Sequence, residues 1–317
     1  MGMNTAQPWR LRTLLLVGAL VLGCGWGGGT SGDPATRSMR IVGYVTAAAV
    51  IDVIDFTRLT HVNYAFLLPK KSGELKTFSS SAHLDRVTRA AHDAGAKVLI
   101  SVGGWGSDAE FEALAAAIDR RTRFVAAVVD FVAQHQLDGA DIDWEYPSAG
   151  ESSAHFVALM GELRAALPNG SLLTTAVIAD ATHADGIDPA VFTFVNFVNI
   201  MAYDGSPTAH SPLSLAQQAL TSWAAKGLSK EQRVLGVPFY ARPGDISYRK
   251  LLESDPAAAG GDQILYFSEM QYYNGPATLR AKVALAKEEA SGIMIWELSQ
   301  DALGGDSLLK VIWEAAQ

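Results

Sequence analysis

The segment Leu137-Asp138-Gly139-Ala140-Asp141-Ile142-Asp143-Trp144-Glu145-Tyr146-Pro147 carries four carboxylates among apolar and aromatic residues. On a strand, side chains alternate between faces, so Asp141, Asp143 and Glu145 share one face and Ile142 and Trp144 the other. Acids two residues apart stand ~6–7 Å from one another, close enough for their proton equilibria to couple. On a buried face, three such groups are costly unless they share protons or meet a ligand. Glu145 comes last and is the candidate proton donor, its pKa raised by burial and by its neighbours. Asp138 has the opposite parity and stands at the strand start, which suits a structural role. Two other readings compete. Close acids bind Mg²⁺ or Ca²⁺, although an EF-hand register is missing. A solvated acidic face is the second, and Ile142, Trp144 and Tyr146 speak against it.

The elements that must position this ladder can be read from the apolar runs. Candidate strands are Arg40–Val45, His61–Phe66, Lys97–Val102, Gly139–Trp144, Leu172–Val177, Val195–Met201, Val234–Phe239 and Gly292–Trp296. All are short and rich in Val, Ile, Leu or aromatics, as strands buried on both faces are. Helical stretches lie between them at Leu84–Ala94, Phe124–Gln134, Phe156–Leu167, Leu213–Ala225 and Ala277–Ala290, several closed by a Gly or Pro. This alternation is the arithmetic of a (β/α)₈ TIM barrel, with a doubly wound open sheet as the alternative. A barrel places its chemistry at the C-terminal ends of the strands.

The 317 residues are 49% apolar and carry a net charge of −8 with only 25 Lys and Arg, which argues against a nucleic-acid partner. A single cysteine excludes an internal disulfide and Cys₂ or Cys₄ metal sites. The seven His form no His-x-His pair, and no nucleophile elbow, P-loop or dinucleotide fingerprint follows a strand. No metal and no cofactor is expected. Near the N-terminus, Arg10 and Arg12 precede the apolar run Leu14–Leu22, which is too short to span a bilayer and suits a signal peptide. Leu20-Val21-Leu22-Gly23-Cys24 resembles the lipobox of bacterial lipoproteins. That resemblance implies cleavage of residues 1–23, lipidation of Cys24, and export to the periplasmic or cell-surface face of a bacterial membrane. Cleavage would take the charge from −8 to −10, since residues 1–23 hold two Arg and no acid. Residues 24–38 read as a flexible Gly/Ser/Thr/Pro tether, and 39–317 as the domain.

Asp138, Asp141, Asp143 and Glu145 match the D-x-x-D-x-D-x-E signature of family 18 glycoside hydrolases, and the chain resembles that chitinase family. Ser101-Val102-Gly103-Gly104 is similar to its S-x-G-G motif and Met201-Ala202-Tyr203-Asp204 to its M-x-Y-D motif. Gly43-Tyr44, Asn63-Tyr64-Ala65-Phe66, Gly236-Val237-Pro238-Phe239-Tyr240 and Gly292-Ile293-Met294-Ile295-Trp296 resemble its other strands, so the likeness covers about residues 39–317. It implies retaining hydrolysis of β-1,4-linked N-acetylglucosamine in chitin or chito-oligosaccharides, assisted by the substrate's own acetamido group. Glu145 is then acid and base. Asp143 holds the acetamido N–H, Asp141 shares a proton or hydrogen bond with Asp143, and Tyr203 donates to the acetamido carbonyl. Met201 and Asp204 contact the −1 sugar, Trp296 floors it, and Tyr44 and Phe66 flank it. Trp105 stacks on a +1 sugar, while Tyr240 and Arg242 approach from the seventh strand. Ser101, Gly103 and Gly104 shape the barrel beside the acids.

The chain departs from the family in two places. Tyr240-Ala241-Arg242 stands where Tyr-Gly-Arg is frequent. Between strands seven and eight, residues 241–276 replace the larger α+β insertion of many chitinases, which points to a shorter wall and a more open groove, with Tyr248, Tyr266, Tyr272 and Tyr273 as candidate lining. A monomer is expected. An endo-β-N-acetylglucosaminidase on N-glycans or peptidoglycan would share the same motif, and a non-hydrolytic chitinase-like lectin is the alternative from another class.

Overall fold

Short runs of Val, Ile and Leu alternating with amphipathic stretches bury their apolar surface best as strands covered by helices. In the computed structural model, which describes residues 39–77 and 80–317, they form a closed barrel. Seven of its strands are β1 (Arg40–Thr46), β2 (His61–Leu67), β3 (Lys97–Gly103), β4 (Gly139–Asp143), β5 (Leu172–Ile178), β6 (Phe197–Met201) and β7 (Arg233–Pro238). Two small hairpins follow, β8 (Tyr240–Ala241) with β9 (Ile246–Ser247), and β10 (Gln263–Tyr266) with β11 (Glu269–Tyr272). The eighth barrel strand is β12 (Gly292–Trp296). All barrel neighbours are parallel, in the order β1-β12-β7-β6-β5-β4-β3-β2. The expected TIM barrel is therefore present, and each expected strand is found with its ends shifted by no more than two residues.

The helices are α1 (Ala82–Asp93), α2 (Asp108–Ala116), α3 (Ile118–Gln134), α4 (Glu151–Ala166), α5 (Leu213–Ala225), α6 (Tyr248–Ser254), α7 (Pro276–Glu289) and α8 (Leu308–Ala316). The crossovers after β1 and β5 are shorter than a full helix. They are 3₁₀ turns at Ile51–Val53, Phe56–Arg58, Ala181–His183 and Pro189–Thr193. Asp55, Asp180 and Asp188 each cap such a turn, the carboxylate accepting the N–H two residues on, which favours the turn over a longer helix.

Apolar side chains divide into two clusters. The larger one lies between strands and helices and includes Ile142 and Trp144. Trp144 stacks on Phe111 at 5.3 Å, meets Phe156 edge-on at 5.6 Å, and donates its Nε1–H to Asp108. This is the helix-facing side that the β4 alternation predicts. The smaller cluster, Val42, Tyr44, Ala65, Phe197, Val234 and Met294, fills the barrel interior.

The segment between β7 and β12 is a small α+β elaboration of two hairpins and α6. Here the structure corrects an expectation: Tyr248 and Tyr273 are buried, their rings 5.9 Å apart, and the Tyr273 hydroxyl donates to the Ala258 carbonyl. They pack the elaboration onto the barrel instead of lining a groove. The tip of the β10–β11 hairpin leaves Leu265 and Phe267 exposed. Among the described residues no helix is long and apolar enough to cross a membrane. Cys24 and the signal and tether segments lie outside the described residues.

Candidate active site

The site is assembled by strand register. Pairing sets Ser101 of β3, Asp141 of β4 and Thr174 of β5 side by side, and Gly103 beside Asp143. Because all three strands point the same residue parity inward, Asp141 meets a ring of hydroxyl and amide donors. Its carboxylate accepts from Thr174 Oγ1 (2.6 Å), Tyr44 Oη (2.7 Å), Ser101 Oγ (2.8 Å) and Asn199 Nδ2 (3.3 Å). Burial pushes the Asp141 pKa up, and the four donors pull against it without cancelling it. Asp141 acts on Asp143 through its charge.

Asp143 is buried and its Oδ1 has no hydrogen-bond partner. Burial raises its pKa well above the carboxylate range, and the charges of Glu145 and Asp141 add to the effect. Glu145 follows two residues later, half-buried at the barrel mouth. Burial raises its pKa too; the neighbouring Tyr146 hydroxyl opposes this and Asp204 reinforces it. Two adjacent acids that both resist ionisation can hold a proton where a leaving group needs one. Asp138, at the other end of the strand, is remote from this chemistry. It accepts from Lys97, His92 and the Val98 N–H, each at 2.8 Å.

The opposing wall comes from β6. Tyr203 follows the strand, and its hydroxyl pKa is pushed well up, first by burial and then by Tyr240, Asp143 and Glu145. Asp204 adopts a left-handed backbone, with φ of 57°. Arg242 grips it bidentately, Nε at 2.8 Å and Nη2 at 3.0 Å, the Tyr240 hydroxyl donates at 2.8 Å, and His210 Nδ1 lies at 3.1 Å. Burial alone would raise its pKa; bonds from His210, Arg242 and Tyr240 outweigh that and hold Asp204 ionised. Arg242 also pairs with Asp245 and lies over the Tyr240 ring at 5.2 Å. Ala241 in place of the family's frequent Gly is buried in β8 and leaves the Arg242 contact intact.

The floor is aromatic. Trp296 at the end of β12 stacks on Phe66 at 5.4 Å and meets Tyr44 edge-on at 5.4 Å. Gly103 and Gly104 both have positive φ, and a Cβ on either would collide, with the Asp143 carbonyl or with the Phe66 ring. The Gly104 N–H also donates to the Asp143 carbonyl at 2.8 Å, so the glycine pair lets β3 close against the acid-bearing strand. Three cis peptides not involving proline fall at the strand ends of this site: Ala65–Phe66, Glu145–Tyr146 and Trp296–Glu297.

These groups share a cleft of about 690 Å³. Tyr44, Phe66, Trp105, Asp143, Glu145, Met201, Tyr203, Asp204, Tyr240, Arg242 and Trp296 all line it. Asp141 and Ser101 lie beneath, and Trp105 is 83% exposed at the rim. None of Tyr248, Tyr266, Tyr272 and Tyr273 is part of the lining. The lining also includes Ile178, Asp245, Met294 and Gln300, which sequence reasoning passed over. Ile178 shares the parity of Thr174, and Met294 that of Trp296, so strand alternation contained the signal for both. Asp245 and Gln300 sit in turns, where no periodicity reports direction. Among the described residues, no group of three or more His, Cys, Asp or Glu is arranged to hold a metal ion.

Residues 40–301 match the family model for Glycosyl hydrolases family 18. Among curated proteins the chain is similar to Chitinase C of Streptomyces lividans, 27% identical over an alignment of 376 residues that covers 88% of this chain and 60% of that protein. It is also similar to a chitinase-like effector of Moniliophthora roreri, 30% identical over 217 residues, covering 59% of this chain and 53% of that protein. The chain thus spans between half and about three fifths of the length of these two relatives. Among solved structures it resembles the GH18 chitinase ChiB from the chitin utilization locus of Flavobacterium johnsoniae, with TM-score 0.76, 30% identity, and coverage of 89% of this chain and 94% of that one. A chitinase from Bacteroides thetaiotaomicron gives TM-score 0.78 at 25% identity, covering 88% and 96%.

Proposed function

The chain belongs to family 18 of the glycosyl hydrolases, and from that premise we propose that it hydrolyses β-1,4 linkages between N-acetylglucosamine residues, with retention and with assistance from the substrate. Glu145 gives its proton to the glycosidic oxygen as the C1–O bond breaks. The substrate's acetamido oxygen closes onto C1 as an oxazolinium ion, so the enzyme supplies orientation in place of a nucleophile. Asp143 accepts the acetamido N–H and offsets the growing positive charge, and Tyr203 donates to the acetamido oxygen. Glu145 then takes a proton from the water that attacks C1 and reopens the ring. Trp296, Tyr44 and Phe66 bed the apolar face of the −1 sugar. Asp204, held ionised, aligns the opposite edge together with Met201, Tyr240 and Arg242, and Trp105 carries the +1 sugar.

The observation that carries this reading is Asp143: a buried carboxylate whose pKa is raised by burial and by two neighbouring acids, with one oxygen unpartnered. Such an acceptor is expensive to leave bare, and an amide N–H would satisfy it. A sugar lacking the N-acetyl group supplies neither that donor nor the nucleophile.

The test is product analysis across N-acetylglucosamine oligomers, chitosan, N-glycans and muropeptides, with Glu145→Gln as control. Cleavage of the N-acetylated oligomers with β-anomeric products is expected. Equal cleavage of glucose polymers would overturn the mechanism, and preferential release from N-glycans or muropeptides would redirect the substrate. A second reading is a chitinase-like lectin that binds sugar without turnover. The wild type would then bind oligomers as the Glu145→Gln variant does and cleave none. We also propose that Cys24 carries a lipid after loss of residues 1–23, holding the barrel to a bacterial membrane by the 24–38 tether. Detergent-phase partitioning lost in Cys24→Ala supports this, and unchanged partitioning refutes it.

A further inference from the structure

Behind the β6 wall, α7 turns a lysine into the protein interior. Lys282 is fully buried, and its ammonium donates to Ser211 Oγ (2.6 Å), to the Ser211 carbonyl (2.7 Å) and to Asn274 Oδ1 (2.7 Å). Three N–H groups thus meet three acceptors, which is what allows a cation to stay in a site this dry. Ser211 Oγ–H in turn donates to the Ala202 carbonyl at 2.6 Å, and Asn274 Nδ2 donates to the Ser211 carbonyl at 2.8 Å. Ala202 lies immediately before Tyr203 and Asp204. Ser211 follows His210, whose ring faces Asp204 at 3.1 Å and packs 4.8 Å from Tyr240, and whose carbonyl accepts from the Gly205 N–H at 3.0 Å. The loop from Ala202 to Ser211 is therefore closed at its base by one hydroxyl, and that hydroxyl is held from behind by one ammonium.

We propose that Lys282 is a positioning residue of the active site, its ammonium fixing Ser211 and through it the placement of Tyr203 and Asp204 in the cleft. The proposal rests on the hydrolase reading for its effect on turnover, and on the loop alone for its effect on structure. It also carries a pH dependence. Burial lowers the Lys282 pKa to about 7, against an opposing pull from Asp262. Asp262 is the charged group that acts on it, its own carboxylate occupied by the Gly275 N–H and the Thr278 hydroxyl. The direct partners, Ser211 and Asn274, are uncharged, and His210 reaches the ammonium only through the backbone. A neutral amine has two N–H groups for three acceptors, so deprotonation frees one acceptor and loosens the loop.

The test compares wild type, Lys282→Met and Asn274→Asp in two measurements: chitotetraose hydrolysis, and amide exchange of residues 202–211 at pH 6 and 8.5. In Lys282→Met, kcat falls about 10- to 100-fold with a smaller change in KM, because small misplacement of positioning groups is costly. Exchange in the loop rises at both pH values. In wild type, loop protection weakens from pH 6 to 8.5, and Asn274→Asp, by placing a carboxylate beside the ammonium, moves that weakening upward by about a pH unit or more. A folded Lys282→Met with wild-type kcat and unchanged loop exchange overturns the proposal. If Lys282→Met does not fold, an alkaline loop response unmoved by Asn274→Asp overturns it instead. A wild type inactive on chitotetraose, N-glycans and muropeptides alike sinks the hydrolase reading, while loop exchange still decides the role of Lys282.

Discussion

Strand β4 begins and ends beside an aspartate, and the two ends treat it in opposite ways. At the start, Asp138 is surrounded by Lys97, His92 and the Val98 N–H; burial works to raise its pKa, but these bonds outweigh it and hold the carboxyl below its usual range. At the end, Asp143 meets neither cation nor hydroxyl on Oδ1, and burial with two neighbouring acids drives its pKa well up. Asp141 between them is satisfied by uncharged donors alone. Strand geometry decides only which way each carboxyl points. What each can do follows from which neighbours the register delivers: ion pairing at the bottom of the barrel, a reserve of acidity at the top.

That contrast can be broken by mutation. The largest effect is expected from Glu145→Gln, which removes the proposed proton donor and lowers kcat by about 10²–10⁴-fold in a fold of unchanged melting temperature. Asp143→Asn follows, with kcat down about 10²–10³-fold and stability equal to or above wild type, because a costly buried carboxyl has gone. Asp138→Asn should do the reverse: a loss of about 1–3 kcal/mol in denaturant unfolding, with kcat per folded molecule preserved. Were Asp138→Asn to cost activity as Asp143→Asn does, the division between the two ends would be wrong.

Unfolding measured against pH sharpens the same comparison. Asp143 has a raised folded pKa, so the folded state holds its proton longer than the unfolded chain does. Its contribution is lost as pH rises from the ordinary carboxylate range through the folded value, and Asp143→Asn gains on wild type in that window. Asp138 has a lowered folded pKa. Its contribution is complete above the ordinary range and lost as pH falls through the folded value, so the wild-type advantage over Asp138→Asn closes in acid. Two stability gaps moving the same way with pH would contradict the assignment. The smallest effect is expected at Trp105, which stands exposed at the rim of the cleft. Trp105→Ala should raise KM roughly 2- to 10-fold with little change in kcat, in line with the loss of one stacking contact.

The sequence made the strands legible because segments buried on both faces must be apolar throughout, and the ladder legible because parity alone sorts Asp141, Asp143 and Glu145 from Ile142 and Trp144. It did not reveal that the crossovers after β1 and β5 would be capped turns, since an Asp two residues before an N–H competes locally with a helix. Nor did it show that Thr174 and Asn199 would join Tyr44 and Ser101 around Asp141, because register between strands is a property of the closed sheet. Tyr248 and Tyr273 were misplaced for a different reason: a phenol suits a sugar-lined groove and a packed interior equally well. Lys282 and His210 gave no local signal at all, being polar residues whose partners arrive from distant parts of the chain.

The left-handed turn at Asp204 narrows what evolution or design can place there. With φ at 57°, the backbone admits Asn or Gly at little cost and resists any β-branched side chain. Asn sheds the charge and keeps the turn, but its single oxygen can accept only part of what Tyr240 and Arg242 donate to the two carboxylate oxygens, and Gly keeps the turn and none of those bonds; a β-branched exchange must redraw the loop that follows Tyr203.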